Sequence, residues 1–476
     1  MRPDDPTTRQ HGSNVSGSRG FGASGFAGPH KCKASDSFSS VTDFTSLSNS
    51  VAVSACRLQL TGTLTAALNI LINIGSKVRQ SYDRLPYPAV QKGETHRPTW
   101  RLPPMTWIDA MWQPISSPPE RVLVAGCGTG NEAFALRHRF PKAEIVAVDF
   151  SHKSIAMARR LQRRFPRLSD IRFLTGDLTN EDFPKLVRDD FDFVTCHGVL
   201  SYISQPQRAL KNLANCLVPD GALYLGANGA SHFSTNWRQA LPEFGFETKQ
   251  LPEDDRLRQV LNLCEALTGV ALNLIAKQGA EYLAGDLFGP LIQSWPLAKW
   301  TALGRGAGLH FCGSWGAQRN LRRVLNENLE EILLPRSRPQ AHELAEQLAP
   351  SSFHWLVFTH RPVFHPPWLT REKLLRCRII ETKLYSRGWP RRRRAWKSLR
   401  QVELKSPASN TLVELRVPEW LIEILRETDG RHTILSRLHV VPLHIPLSDL
   451  VRELYRLYLL ALINLCPRQK GQEAVG

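Results

Sequence analysis

Short apolar runs recur along this chain, and most stop at a glycine or an acid. The clearest are Val122–Ala125, Glu144–Asp149, Phe173–Thr175, Phe191–Cys196 and Ala222–Gly226. Runs of this length, apolar throughout rather than alternating, are the mark of strands buried on both faces. Helical stretches such as Ala209–Cys216 fall between them. Strand and helix in alternation predict an α/β architecture, a doubly wound, mostly parallel sheet of Rossmann-like form. The pattern changes after the fifth run. Residues 232–305 read as a helical insertion, with helices at Asp255–Leu267, Ala271–Tyr282 and around Trp295–Leu303. Two further strands, Ala307–Gly313 and Phe353–Thr359, flank helices near 317–333 and 339–347.

The first run ends in three glycines at alternate positions, Gly126-Cys127-Gly128-Thr129-Gly130, and the second ends in Asp149. Glycine suits a strand that must turn sharply into a helix and let its backbone approach a ligand. An acid at the tip of the next strand is placed to accept hydrogen bonds from ribose hydroxyls. Two cofactor classes use this arrangement. Counted from Gly126, the dinucleotide pattern G-x-G-x-x-G fails at Asn131; counted from Gly128, a G-x-G-x-x-A variant fits two residues late. The G-x-G-x-G form resembles the first motif of the class I S-adenosylmethionine-dependent methyltransferases, in the bacterial type.

The resemblance continues in order over residues 115–230. Phe173-Leu-Thr-Gly-Asp177-Leu178 is similar to the third-strand motif, where an acid and its neighbour flank the adenine. Phe191–Leu200 is similar to the fourth strand and the loop facing the reacting methyl, and Pro219-Asp-Gly221 to the turn before the fifth strand. The family implies S-adenosyl-L-methionine as cofactor and a seven-stranded sheet that closes near residue 361 with its last strand antiparallel. It implies cofactor contacts at Gly126, Cys127, Gly128, Gly130, Asp149, Asp177, Leu178 and His197. There is one departure: many members carry an acid two residues before the first glycine, often fixing the methionine end of the cofactor, and here that position is Val124. Residues around Pro103–Trp112 are expected to form a helix covering the cofactor. This lead-in is similar to that of a group of bacterial methyltransferases, some joined to tetratricopeptide repeats, of which none is visible here.

Methyl transfer needs a base only where the acceptor must lose a proton. His197 follows the fourth strand at the carboxyl edge, where ligands bind in such sheets, and is the candidate base. The alternative is that it lines the pocket. Tyr202 is placed either to orient an acceptor or to pack, and His232 opens the insertion within reach of the site. The fourth strand is not followed by Asn/Asp-Pro-Pro-Tyr/Phe, nor by a Pro-Cys nucleophile. Those absences argue against methylation of base or glutamine amino groups and of cytosine carbon. Small-molecule and protein acceptors remain open.

Composition sets outer bounds. With 476 residues, 42% of them hydrophobic, the chain has room for two or three globular domains. Its nine cysteines include no C-x-x-C pair, so no metal site or disulfide framework is indicated, and a reduced cytoplasmic setting is expected. Cys127 and Cys196 read as small buried residues. Net charge is +18. That points to an anionic partner or to a solvated basic surface. The densest cluster, Arg387–Arg400, interleaves seven basic residues with Trp389 and Trp396. Nucleic acid is a possible partner for it but not a favoured one.

The expected organisation has three parts. Residues 1–80 are a Ser/Gly/Thr-rich extension, disordered apart from one apolar helix at Leu58–Ile74, which is short for a membrane span. No secretory signal is visible in it. Residues 81–362 are the methyltransferase domain, with its insertion at 231–305. Residues 363–476 form a basic, winged-helix-like module beyond the His365-Pro-Pro367 linker, with a strand and helix in Thr411–Gly430 and a helix over Leu447–Leu465. The rival functional reading is a non-catalytic scaffold on the same fold, working through that module. A nicotinamide-dinucleotide enzyme is a distant third. Oligomeric state is left open.

Overall fold

In the computed structural model the residues described are 74–88, 105–112, most of 118–246, most of 285–362 and several segments between 371 and 466. The stretches read as the N-terminal extension before residue 74, most of the two central insertion helices, the proline linker and the basic tryptophan cluster lie outside them. Among the described residues no helix is long and apolar enough to cross a membrane.

The sheet has seven strands: β1 (Arg121–Ala125), β2 (Glu144–Asp149), β3 (Ile171–Thr175), β4 (Phe191–His197), β5 (Leu217–Asn228), β6 (His310–Ser314) and β7 (Phe353–Thr359). Their order is β3-β2-β1-β4-β5-β7-β6. The first five run parallel, and β7 lies antiparallel to both β5 and β6. This is the expected doubly wound architecture, with the antiparallel closure where the family pattern put it. The chain order reverses between β1 and β4, and the carboxyl ends of those strands carry the glycine turn and His197.

Side chains alternate across each strand, so the sheet has two apolar faces. Val122 and Val124 of β1, with Ile145 and Ala147 of β2, belong to one core; Leu123, Ala125, Val146 and Val148 belong to the other. The second core is covered by α5 (Phe183–Val187), α6 (Pro206–Asn215) and the helix Leu297–Gly306. The first is covered by α3 (Asn131–Arg139), α4 (His152–Arg164) and the helix Trp315–Asn326.

Two N-terminal helices correct one expectation. The helix predicted around Pro103–Trp112 forms, as α2 (Met105–Trp112), but it does not cover the cofactor edge. Trp112 stacks on Phe193 at 5.8 Å, and its indole donates to the Asp220 carbonyl in the first part of β5. Trp107 packs edge-on against Trp315. The helix is apolar on most sides, so it is a core element. The edge near Asp149 is covered instead by α1 (74–84) and the residues after it.

The described C-terminal segments are two two-stranded sheets with intervening helices. β8 (Arg378–Glu381) pairs antiparallel with β11 (Ile463–Cys466), and β9 (Gln401–Lys405) with β10 (Leu412–Arg416). The helix expected over 447–465 stops at Leu459, because Ala461 takes a left-handed turn and Ile463–Cys466 is drawn into pairing with β8. These segments share one apolar core with the first face of the sheet. Arg338, fully buried, stacks over Tyr458 and donates to the carbonyls of Tyr458 and Ile463 and to Asn464.

Candidate functional site

The turn after β1 is held from below by β2: Gly126 and Cys127 both donate to the Val148 carbonyl, at 2.7 and 2.9 Å. At Gly128 the backbone is left-handed, with φ of 52°, and a Cβ there would lie 2.1 Å from the Tyr87 carbonyl oxygen. Glycine is thus required both by conformation and by close approach of the lead-in. Thr129 fastens the lead-in, donating from its amide to Tyr87 and from its hydroxyl to the Pro88 carbonyl.

Asp149 ends β2 with its carboxylate against the turn. One oxygen accepts from the Gly128 amide at 2.8 Å and the other from the Ser151 amide at 2.9 Å. Burial nevertheless pushes its pKa up to about 6, these two hydrogen bonds opposing the shift. A carboxylate has roughly four acceptor positions, so two remain for a diol. Asp177, at the end of β3, accepts from the Thr179 amide and hydroxyl, and Arg79 of α1 approaches its other oxygen at 3.9 Å. Both side chains are nearly half exposed, so this ion pair adds little. The Leu178 side chain is buried in the α5–α6 core, and its carbonyl accepts from Asn212. The thiols of Cys127 and Cys196 are buried, and burial holds them protonated well above their usual range.

His197 stands exposed at the tip of β4. Its ring lies parallel to Tyr224, with Nδ1 2.9 Å from the Tyr224 hydroxyl, and 5.2 Å from the ring of Phe353. A second polar group gathers at the carboxyl ends of β4 and β5. The Tyr202 hydroxyl donates to Asp286, and His232 Nε2 lies 3.9 Å from the other Asp286 oxygen. Asn228 donates to the Tyr202 hydroxyl. Burial pushes Asp286 up to about 7 and His232 down to about 4. His232 is therefore neutral near pH 7, and its contact with Asp286 is not an ion pair. The Tyr82 ring of α1 packs edge-on between Phe150 and Tyr202. Asp83 accepts from the Ser151 hydroxyl at 2.6 Å, tying α1 to the residue that caps α4. The structure thus joins the glycine turn and Asp149 in one arrangement, and Tyr202 with His232 in another.

Residues 123–223 match the model of a methyltransferase domain. Over those residues the chain carries a methyltransferase domain. It is 26% identical to an uncharacterized protein of Synechococcus sp., over 67% of this chain and 80% of that one. It is 28% identical to a malonyl-[acyl-carrier protein] O-methyltransferase of Bacillus anthracis, over 40% of this chain and 65% of the relative. The chain thus spans just under two thirds of that relative. Among solved structures, PKMT2 from Rickettsia typhi aligns with 76% of this chain and 74% of its own, at 13% identity and a TM-score of 0.47.

Four residues of the methyltransferase domain and its lead-in escaped sequence reasoning: Tyr82, Asp83, Glu132 and Asp286. Glu132 carried a usable signal, an acid two residues past the last glycine. Asp286 had none, since no spacing in the sequence ties it to Tyr202.

Proposed function

We propose that the protein transfers the methyl group of S-adenosyl-L-methionine to a small-molecule or protein acceptor. The observation that carries this reading is the Asp149 carboxylate, bonded to the glycine turn yet with acceptor capacity to spare. The residues fit the cofactor. Asp149 would hold the ribose hydroxyls, Asp177 and the backbone at Leu178 the adenine, and the turn Gly126–Gly130 the amino acid tail. Bound there, the cofactor supplies an electrophilic methyl group for in-line displacement.

The chain's own part is alignment, exclusion of water and, for a protic acceptor, removal of a proton. Helix α1 covers the Asp149 side through Arg79, Tyr82 and Asp83. His197 is one candidate base. Asp286, hydrogen-bonded by Tyr202 and poised near neutrality, is a second, on the side of β4 and β5 where the acceptor would sit. Calorimetric titration with S-adenosylmethionine, S-adenosylhomocysteine and NAD tests the reading: the adenosyl ligands should bind and NAD should not.

A further inference from the structure

The methyltransferase reading leaves a charge unmatched. The amino acid tail of the cofactor carries an α-ammonium, and the acid that many relatives place two residues before the first glycine is absent. Val124 fills that position and is 2% exposed. Its neighbour on β4, in direct register, is Thr195. The Thr195 hydroxyl donates to Oε1 of Glu132, in the first turn of α3. A carboxyl group is therefore anchored beside the place that Val124 leaves apolar, reached from the helix that follows the turn rather than from the strand that precedes it.

Among the described residues Glu132 has Thr195 as its hydrogen-bond partner and forms no ion pair with a basic side chain. Glu132 is half-buried, and a carboxylate partly withdrawn from water with no cation beside it carries a desolvation cost. Burial accordingly pushes Glu132 up to about 7, with the Thr195 hydrogen bond opposing the shift. The dipole of α3 favours an acid in its first turn, and a cationic ligand would match the charge that no basic side chain pairs. Asp149 meets the glycine turn from the β2 side, and Glu132 meets β4 on the other. The two carboxylates thus flank the turn, one suited to a diol and the other to an ammonium group.

Resting on the methyltransferase reading, we propose that Glu132 supplies the carboxylate that binds the α-ammonium of the cofactor's amino acid tail, in place of the acid missing at Val124. Glu132→Gln removes the charge, keeps the shape and still accepts from Thr195. The test is calorimetry on the full chain with two probes: S-adenosylhomocysteine, which carries the tail, and 5′-methylthioadenosine, which lacks it. The expected result is a loss of about tenfold or more in S-adenosylhomocysteine affinity, as for loss of a charge-assisted bond. Methylthioadenosine affinity should change less than about twofold, which also shows that the variant is folded. Unchanged S-adenosylhomocysteine affinity, or an equal loss for both probes, would overturn the assignment. If the wild-type protein binds neither probe, the cofactor reading itself falls, and this inference with it.

Discussion

Three carboxyl groups, the half-buried Glu132 and the buried Asp149 and Asp286, are held above their ordinary range by desolvation, at about 7, 6 and 7. Each favours its protonated form in the folded state more than in the unfolded one. The stability they lend is full below the unfolded carboxylate range, near pH 4, and is lost as pH rises through 6 to 7. Asp286→Asn removes one of the three, so its urea midpoint should fall less between pH 5 and pH 8 than that of the wild type. Equal slopes in the two proteins would mean that Asp286 ionises freely. For Asp149→Ala the expected effect is on binding. Loss of two charge-assisted bonds to a ribose should weaken S-adenosylhomocysteine by about a hundredfold or more. Unchanged affinity would sink the ribose assignment.

The elements show what a sequence can and cannot disclose. All seven strands were legible because runs such as Val122–Ala125 are apolar on both faces, and only a sheet with both sides covered buries them. The helix Met105–Trp112 was legible too, but its position was not. Apolar residues on most of its surface declare burial without naming the neighbour, which proved to be Phe193 and Trp315. Helix α1 works the other way. Arg79, Tyr82 and Asp83 are polar or amphipathic, and nothing in their spacing says that they face Asp177, Tyr202 and Ser151. The turn and the lead-in are one unit at Gly128. Gly128→Val would force the Tyr87 carbonyl away. We expect the variant to lose about tenfold or more in adenosyl-ligand affinity; wild-type affinity would show that the turn does not face the ligand.

At the scale of the molecule, the glycine turn and Asp149 were legible in the sequence because they are local, a few residues around two strand ends. Tyr202, His232 and Asp286 come from three separated parts of the chain, and their meeting depends on how the insertion folds back. The contact between sheet and C-terminal segments is of that kind as well. Arg338 reaches Tyr458, Ile463 and Asn464, more than a hundred residues away. Arg338→Ala strands those buried acceptors, each at about 1–3 kcal/mol. We expect a clear drop in the global urea midpoint, with S-adenosylhomocysteine affinity retained in the folded fraction. An unchanged midpoint would show that the C-terminal segments contribute nothing to the stability of the sheet.

The account rests on the glycine turn and Asp149 forming a site for an adenosyl sulfonium rather than a dinucleotide. Calorimetric titration of the full chain with S-adenosylmethionine, S-adenosylhomocysteine and NAD tests this most directly. The prediction is binding of both adenosyl ligands in the micromolar range, about −8 kcal/mol, with no heat from NAD. NAD binding without the adenosyl ligands would contradict it.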